Sequence, residues 1–387
     1  MMPKNFYFVV LLGLVSLFSD MTYEGARSIT GPYLFYLGAG AAVVGFTSGF
    51  GEFISYGLRL FFGWFADKTK NYWGLMFIGY ALTLLSVPAL ALVNSWGLAV
   101  LLIILERTGK ALRTPARDTL LSYATFKMGR GLGFGIHEAM DQIGAIGGPL
   151  IIALVFYLKM GYKSAFLVLL IPAIVALSFL TFARITYPTP QKFEIGFQKF
   201  EAKGFSKSFW WYLLGMCFIG AGFVDFPLIG YHLEKTSILS KEWIPILYAL
   251  AMGVDALSAL FLGFLFDRIG LKAIILAIIL SLGAIPFTFL GGIILIFLGM
   301  ILWGIGLGAQ ESIMRAVIAQ LVAPEKRGMG YGVFNTFFGL FWFTGSFLLG
   351  FLYEISILAL VILSVIFQIF SLPFILKVVK TVNINPL

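Results

Sequence analysis

Charge is what this sequence has least of for its size. Only 12% of its 387 residues are Asp, Glu, Lys or Arg, while 60% are hydrophobic. A soluble chain carries about 25% charged residues, so this supply leaves a surface of the required size without a water-facing coat. That excludes a large soluble globule and makes a bilayer the solvent that fits. A single cysteine, Cys217, excludes an intramolecular disulfide framework. Two histidines, His137 and His232, leave little room for a histidine-rich metal centre. No Gly-x-x-x-x-Gly-Lys-Ser/Thr loop occurs, and no polar stretch is long enough to fold as a nucleotide-binding domain. The sequence therefore points away from an ATP-driven machine or a cofactor-dependent enzyme: no cofactor and no resident metal are expected.

What the chain has is a series of apolar runs. A spanning helix needs about 20 mostly apolar residues, and the breaks between runs predict twelve, near 6–36, 41–65, 72–93, 96–124, 130–157, 162–186, 208–233, 243–266, 271–290, 293–321, 329–353 and 357–379. The first run has a lysine ahead of it, like a signal peptide, but no small-x-small cleavage site follows and it continues into Asp20 and Glu24. It reads as the first spanning helix. With the N-terminus placed in the cytoplasm, the inner segments collect 16 Lys and Arg, and the outer loops only Lys159, Lys163, Lys235 and Lys241. This is a positive-inside bias, so the net charge of +9 is explained by topology rather than by nucleic acid. The expectation is a multi-pass protein of the cell (plasma or inner) membrane with both termini cytoplasmic, working as a monomer. Tyr187–Lys207, with Pro188, Pro190 and several lysines, reads as a cytoplasmic linker. It divides a six-helix bundle at 1–186 from a second at 208–387.

The halves repeat. Gly63-Trp-Phe-Ala-Asp67-Lys68 returns as Gly263-Phe-Leu-Phe-Asp267-Arg268, and Arg130-Gly-Leu-Gly-Phe-Gly135 returns as Arg327-Gly-Met-Gly-Tyr-Gly332, at offsets of 200 and 197. Two matches at one offset indicate an internal duplication, an architecture of transporters. The Gly-x-x-x-Asp-Lys/Arg segments resemble the inner-loop signature of the major facilitator superfamily. Gly135, Gly144, Gly148 and Pro149 resemble the helix-five signature of the superfamily's antiporters, departing from it where Ile152 and Ala153 stand in place of two further glycines. The resemblance implies an all-α membrane fold of twelve helices in two pseudo-symmetric bundles, with helices one and four facing a central cavity. In the gating motif Gly63, Asp67, Lys68, Gly263, Asp267 and Arg268, glycine would let helices approach and aspartate would pair with a cation of the adjacent bundle.

Charged residues at membrane depth cost about 2.5–3.5 kcal/mol each on insertion scales, so they pair or line a cavity. On helix one Asp20, Glu24 and Arg27 share a face, and on helix four Glu106, Lys110, Arg113 and Arg117 form a stripe roughly 60° wide. On helix five His137 and Asp141 share a face with Gly144 and Gly148, with Glu138 beside them; helix two adds Glu52 and Arg59. The second half is poorer, with Asp225 and Asp255 among its few acids. Asp20 and Glu24 are the leading proton carriers, Glu138 and Asp141 the second pair, and Arg113 and Arg117 the cationic partners. Arg27, Glu52, Arg59, Glu106, His137 and Asp225 are candidates for substrate contact or ion pairing. The reading is a secondary transporter working by alternating access, a proton-coupled antiporter exporting an amphipathic or anionic small molecule. The alternatives are a proton-coupled symporter or facilitator importing an anionic solute, favoured by the cationic stripe, and a divalent-cation transporter using His137, Glu138 and Asp141.

Overall fold

The computed structural model describes residues 4–125, 130–188, 204–323 and 327–381. Most of the expected linker, 189–203, lies outside these residues, as do Lys127 and Lys326. The elements are α1 (Lys4–Tyr36), α2 (Ala41–Thr69), α3 (Tyr72–Ala89) with a 3-10 turn (Leu90–Leu92), α4 (Trp96–Thr125), α5 (Arg130–Tyr157), α6 (Tyr162–Val168), α7 (Leu170–Thr186) and α8 (Lys207–Gly222). They continue as α9 (Phe226–Thr236), α10 (Trp243–Ile269), α11 (Lys272–Ser281), α12 (Ala284–Leu290), α13 (Ile293–Leu321), α14 (Arg327–Ile355) and α15 (Ile357–Thr381). All twelve predicted runs are present, and no strand occurs among the described residues.

Four runs predicted as continuous are interrupted. Three of the breaks have one cause. Pro172, Pro227 and Pro286 sit near the starts of α7, α9 and α12, and the residues four positions earlier, Val168, Phe223 and Leu282, fall at the ends or gaps before them. A proline donates no hydrogen bond to that earlier carbonyl and clashes with it. Context decides the outcome, because Pro32, Pro115, Pro149 and Pro373 lie inside continuous helices. Joining the broken pieces, ten segments among the described residues are long and apolar enough to cross a membrane. The other two long rods are α2, interspersed with glycine and hydroxyl residues, and α4, whose six charges fall between Glu106 and Asp118. Large apolar side chains point outward, including Leu260 at 76% and Ile294 at 84% exposure. Only hydrocarbon makes such a surface inexpensive.

The chain forms two compact units. The first is Met1–Thr30 with Ile54–Gln198, and the second is Gly31–Phe53 with Lys199–Leu387. These differ from the expected halves by one segment, Gly31–Phe53, which contains the end of α1 and the start of α2. Its glycines explain the assignment: a Cβ on Gly31 would overlap the Pro227 carbonyl, on Gly45 the Ser346 carbonyl, and on Gly49 the Phe343 backbone. The Ala42 amide at the start of α2 donates to Glu354 Oε1 on α14 at 3.0 Å. Phe8, Leu12, Tyr72, Met76, Leu120 and Leu180 belong to a core of the first unit, which packs α1, α3, α4 and α7.

Candidate functional site: a charged cluster in the first unit

Two seams of small residues build the site. On α5, a Cβ at Gly144 or Gly148 would overlap the carbonyls of Leu17 or Met21 on α1, and Gly25 meets Gly148 from the other side. Backbones this close bring Asp20 alongside α5, with its Cβ 3.0 Å from where a Gly144 Cβ would stand. On α3 and α4, Gly79 and Gly109 make a second seam, closed by Thr83 Oγ1 donating to the Glu106 carbonyl at 3.1 Å. A Cβ at Gly79 would stand 2.7 Å from the Arg113 Cβ. Small residues thus convert sequence-distant charges into neighbours.

The cluster inside is buried. Arg113 is 1% exposed, with its guanidinium 4.4 Å from the Tyr80 ring centre and 5.5 Å from that of Tyr23. Lys110 Nζ lies over the same Tyr23 ring, 4.4 Å from its centroid. Aromatic faces attract a desolvated cation. Arg117 pairs with Asp118, its neighbour in sequence, at 2.9 Å, and its Nη1 stands 3.8 Å from Asp141 Oδ2. His137 Nδ1 is 3.4 Å from the same Asp141 oxygen, and His137 Nε2 is 3.0 Å from Ser16 Oγ. Ser16 Oγ also accepts from Arg117 Nη1 at 3.4 Å and lies 3.5 Å from Tyr80 Oη.

Asp20 sits in the electrostatic field of Asp141, Arg113, Lys110 and Glu24. Its Oδ1 is buried with no hydrogen-bond partner among the described residues, as are Arg113 Nε and Nη1 and Asp141 Oδ1. Of the two expected cationic partners, Arg117 stands 3.8 Å from Asp141 and Arg113 lies in the electrostatic field of Asp20. Arg117 takes Asp118 and leans to Asp141, and Arg113 takes two tyrosine faces. Glu24 is buried and Arg27 half-buried on the same helix. Glu106 Oε2 pairs with Arg107 at 3.1 Å, away from the Ser16 group. Glu138 is exposed, one residue and about 100° round the helix from His137. It does not join His137 and Asp141, and among the described residues no trio of His, Cys, Asp or Glu could hold a metal ion. Arg59 is half-buried in this unit, over Tyr56 and donating to Ser55 at 3.3 Å, whereas Glu52, also buried, belongs to the other unit.

Sequence reasoning missed Ser16 and Tyr80. Each is one polar residue in an apolar run, and its partners lie far along the chain. It also missed the arrangement around Asp225 in the second unit. Asp225 is 2% exposed, in the gap between α8 and α9, and its Oδ2 accepts from Trp342 Nε1 at 3.0 Å. The carbonyls freed by that gap are also taken: Trp303 Nε1 donates to Val224 at 2.9 Å, and Ser364 Oγ to Gly222 at 2.6 Å. Phe223 stacks among Trp303 and Trp342 at 5.1 and 5.4 Å. A broken helix in lipid survives only where neighbours satisfy its backbone, and here indole and hydroxyl groups do so.

Comparison with known proteins agrees with this architecture. The sequence profile of the Major Facilitator Superfamily matches residues 12–234 and 226–385. The chain belongs to the major facilitator superfamily. Among its relatives, an uncharacterized protein of Mycobacterium tuberculosis is 39% identical over 372 residues, covering 94% of this chain and 91% of that one. An uncharacterized MFS-type transporter of Methanocaldococcus jannaschii is 30% identical over 377 residues, covering 92% and 90%. Two solved structures share the fold. The nucleoside transporter NupG matches with a TM-score of 0.75 at 16% identity, covering 98% of this chain and all (100%) of that one. A bacterial homolog of the human lysosomal transporter Spinster, inward-facing and occupied, matches with 0.72 at 15% identity, covering 99% and 98%.

The superfamily-like loop motifs are where the expected physics is revised. Gly63 has only an ordinary contact to Pro115, 3.7 Å from an added Cβ, and Gly263 faces open space. Close helix approach does not explain either glycine. Gly135 is likewise open, whereas Gly144 and Gly148 are tight and Pro149 is buried within α5. Asp67 is exposed and accepts from Tyr72 Oη at 3.3 Å; Asp267 is exposed as well. Lys68 and Arg268 lie over Trp64 and Phe264 of their own helices, at 4.9 and 4.3 Å.

Proposed function

We propose that this multi-pass transporter-family protein is a proton-coupled antiporter that exports an amphipathic or anionic small molecule by alternating access, with both termini in the cytoplasm. The observation that carries the reading is Asp20: a buried carboxyl with an unpartnered oxygen, set beside an arginine whose Nε and Nη1 are equally unpartnered. A buried carboxylate without a hydrogen-bonding cation is costly, and taking a proton or gaining a cation relieves that cost. A buried guanidinium has the converse need, which the anionic group of a substrate meets with charge-assisted hydrogen bonds. Proton and substrate then compete for one set of groups, so loading one favours unloading the other, and exchange follows.

A second reading has its own support. Lys110 and Arg113 both lie over Tyr23, a concentration of positive charge that suits symport or facilitated import of an anionic solute. Purified protein in liposomes containing a pH-sensitive dye separates the readings. A panel of radiolabelled monocarboxylates, phosphate monoesters and amphipathic organic acids is applied outside. Antiport expects one class to enter faster when the lumen is acidic and to alkalinise it. Symport expects lumen acidification with entry. A flux that no pH gradient changes would overturn proton coupling altogether.

A further inference from the structure

Ser16 is the hub of four groups from four helices: its own hydroxyl on α1, Tyr80 on α3, Arg117 on α4 and His137 on α5. Its hydrogen-bonding capacity is small: one donor and two acceptor positions. Counting those positions fixes which way each bond runs in either charge state of His137, and repulsion between the two cations then bears on Arg117. Arginine has no acceptor, so wherever Arg117 meets Ser16 it donates. With neutral His137 carrying its hydrogen on Nδ1 toward Asp141, Nε2 must accept, so the Ser16 hydroxyl donates to it. Arg117 and Tyr80 then fill both acceptor positions, and every slot is used once.

Protonation reverses two bonds, Ser16–His137 and Tyr80–Ser16, and the Tyr80 hydrogen turns away from Ser16. A hydronium ion gives up its proton, an N–H bond forms at Nε2, and water is left. Ser16 keeps its own hydrogen. It now accepts from Nε2, and it turns its hydroxyl to Tyr80 Oη, the one acceptor among its partners. Imidazolium and guanidinium then both point at a single small oxygen. Arg117 has an alternative close by, because the same Nη1 that is 3.4 Å from Ser16 is 3.8 Å from Asp141 Oδ2. Asp141 on α5 faces His137 directly; Arg117 and Arg113 on α4 and Asp20 on α1 act on Asp141 in turn, and Asp118 on α4 and Tyr80 on α3 act on Arg117.

We propose that Ser16 is a positioning residue that transmits the protonation of His137 to Arg117, moving the arginine from the serine hydroxyl to Asp141. The proposal rests on the proton-coupled reading and deepens it. It gives the coupling proton a route to a cation that can change partners, and Arg117 is linked to both α1 and α5.

The chain has only two histidines, so nitrogen-15 histidine labelling of the full protein in phospholipid nanodiscs reads His137 directly, with His137→Gln identifying its signals by their loss. The wild type is expected to show a neutral imidazole protonated at Nδ1 and accepting a hydrogen bond at Nε2. In Ser16→Ala the Nε2 signal should move to that of an unbonded nitrogen. Ser16→Thr, which keeps the hydroxyl, should restore it. Arg117→Lys should move the imidazole signals in the wild-type background and much less in Ser16→Ala. Identical imidazole signals in wild type and Ser16→Ala would overturn the switch. The two failures separate: unchanged imidazole signals sink the switch and leave gradient-driven flux standing, whereas wild-type flux indifferent to pH sinks the transport reading and the switch's purpose with it.

Discussion

The two units share a duplicated frame, and two of their buried acids, Asp20 and Asp225, are held in opposite ways. In the first, Asp20, Asp141 and Arg113 lie among each other with polar atoms left unpartnered. In the second, Asp225 is clamped by an indole, and the Val224 and Gly222 carbonyls beside it are taken by side chains. The difference teaches where movable charge resides. Groups with unfilled hydrogen bonds pay a standing cost, and such costs concentrate at functional sites. Groups with every bond filled hold a shape.

The largest effect expected from breaking this contrast is at the first unit's seam. Gly148→Leu forces a side chain against the Met21 backbone, and overpacking of this kind costs about 3 kcal/mol. Thermal unfolding in detergent should show a sharp loss of stability, whereas Gly263→Leu, facing open space, should stay within about 0.5 kcal/mol of wild type. Next comes the clamp. Asp225→Ala leaves the Trp342 indole N–H buried without its acceptor, at about 2 kcal/mol. Asp225→Asn keeps an oxygen there and should recover most of that loss in the same assay. Smallest is Ser364→Ala, which removes one donor from the Gly222 carbonyl. Gln368 Nε2 remains 3.4 Å from that oxygen, so the loss should be about 1 kcal/mol.

Much of the fold was legible in the sequence because membrane helices announce themselves by length and apolarity. The twelve runs and their duplication needed nothing more. The interruptions were less legible. Pro227 breaks a helix while Pro149 sits inside one, and the outcome depends on whether neighbours can satisfy the freed carbonyls, as Trp303 and Ser364 do. The charged cluster was legible as faces of single helices, since i, i+4 and i+7 spacing is local. Pairing across helices was not, because the glycine seams set the rotation and depth of each helix. That is why Arg113 turned out to lie between Tyr23 and Tyr80, and why Glu138, adjacent to His137, fell on the exposed side. Ser16 carried no signal at all: a lone hydroxyl in an apolar run gains its role only from partners 64, 101 and 121 residues away.

The central claim is that coupling charge moves through the first unit and not the second. It is tested most directly by comparing Asp20→Asn and Asp225→Asn in liposomes, recording lumen pH during flux of whichever panel solute the wild type carries. The account predicts that Asp20→Asn abolishes pH-driven accumulation while the protein stays folded, and that Asp225→Asn retains it. Undiminished proton-coupled accumulation in Asp20→Asn, with loss in a folded Asp225→Asn, would contradict the account.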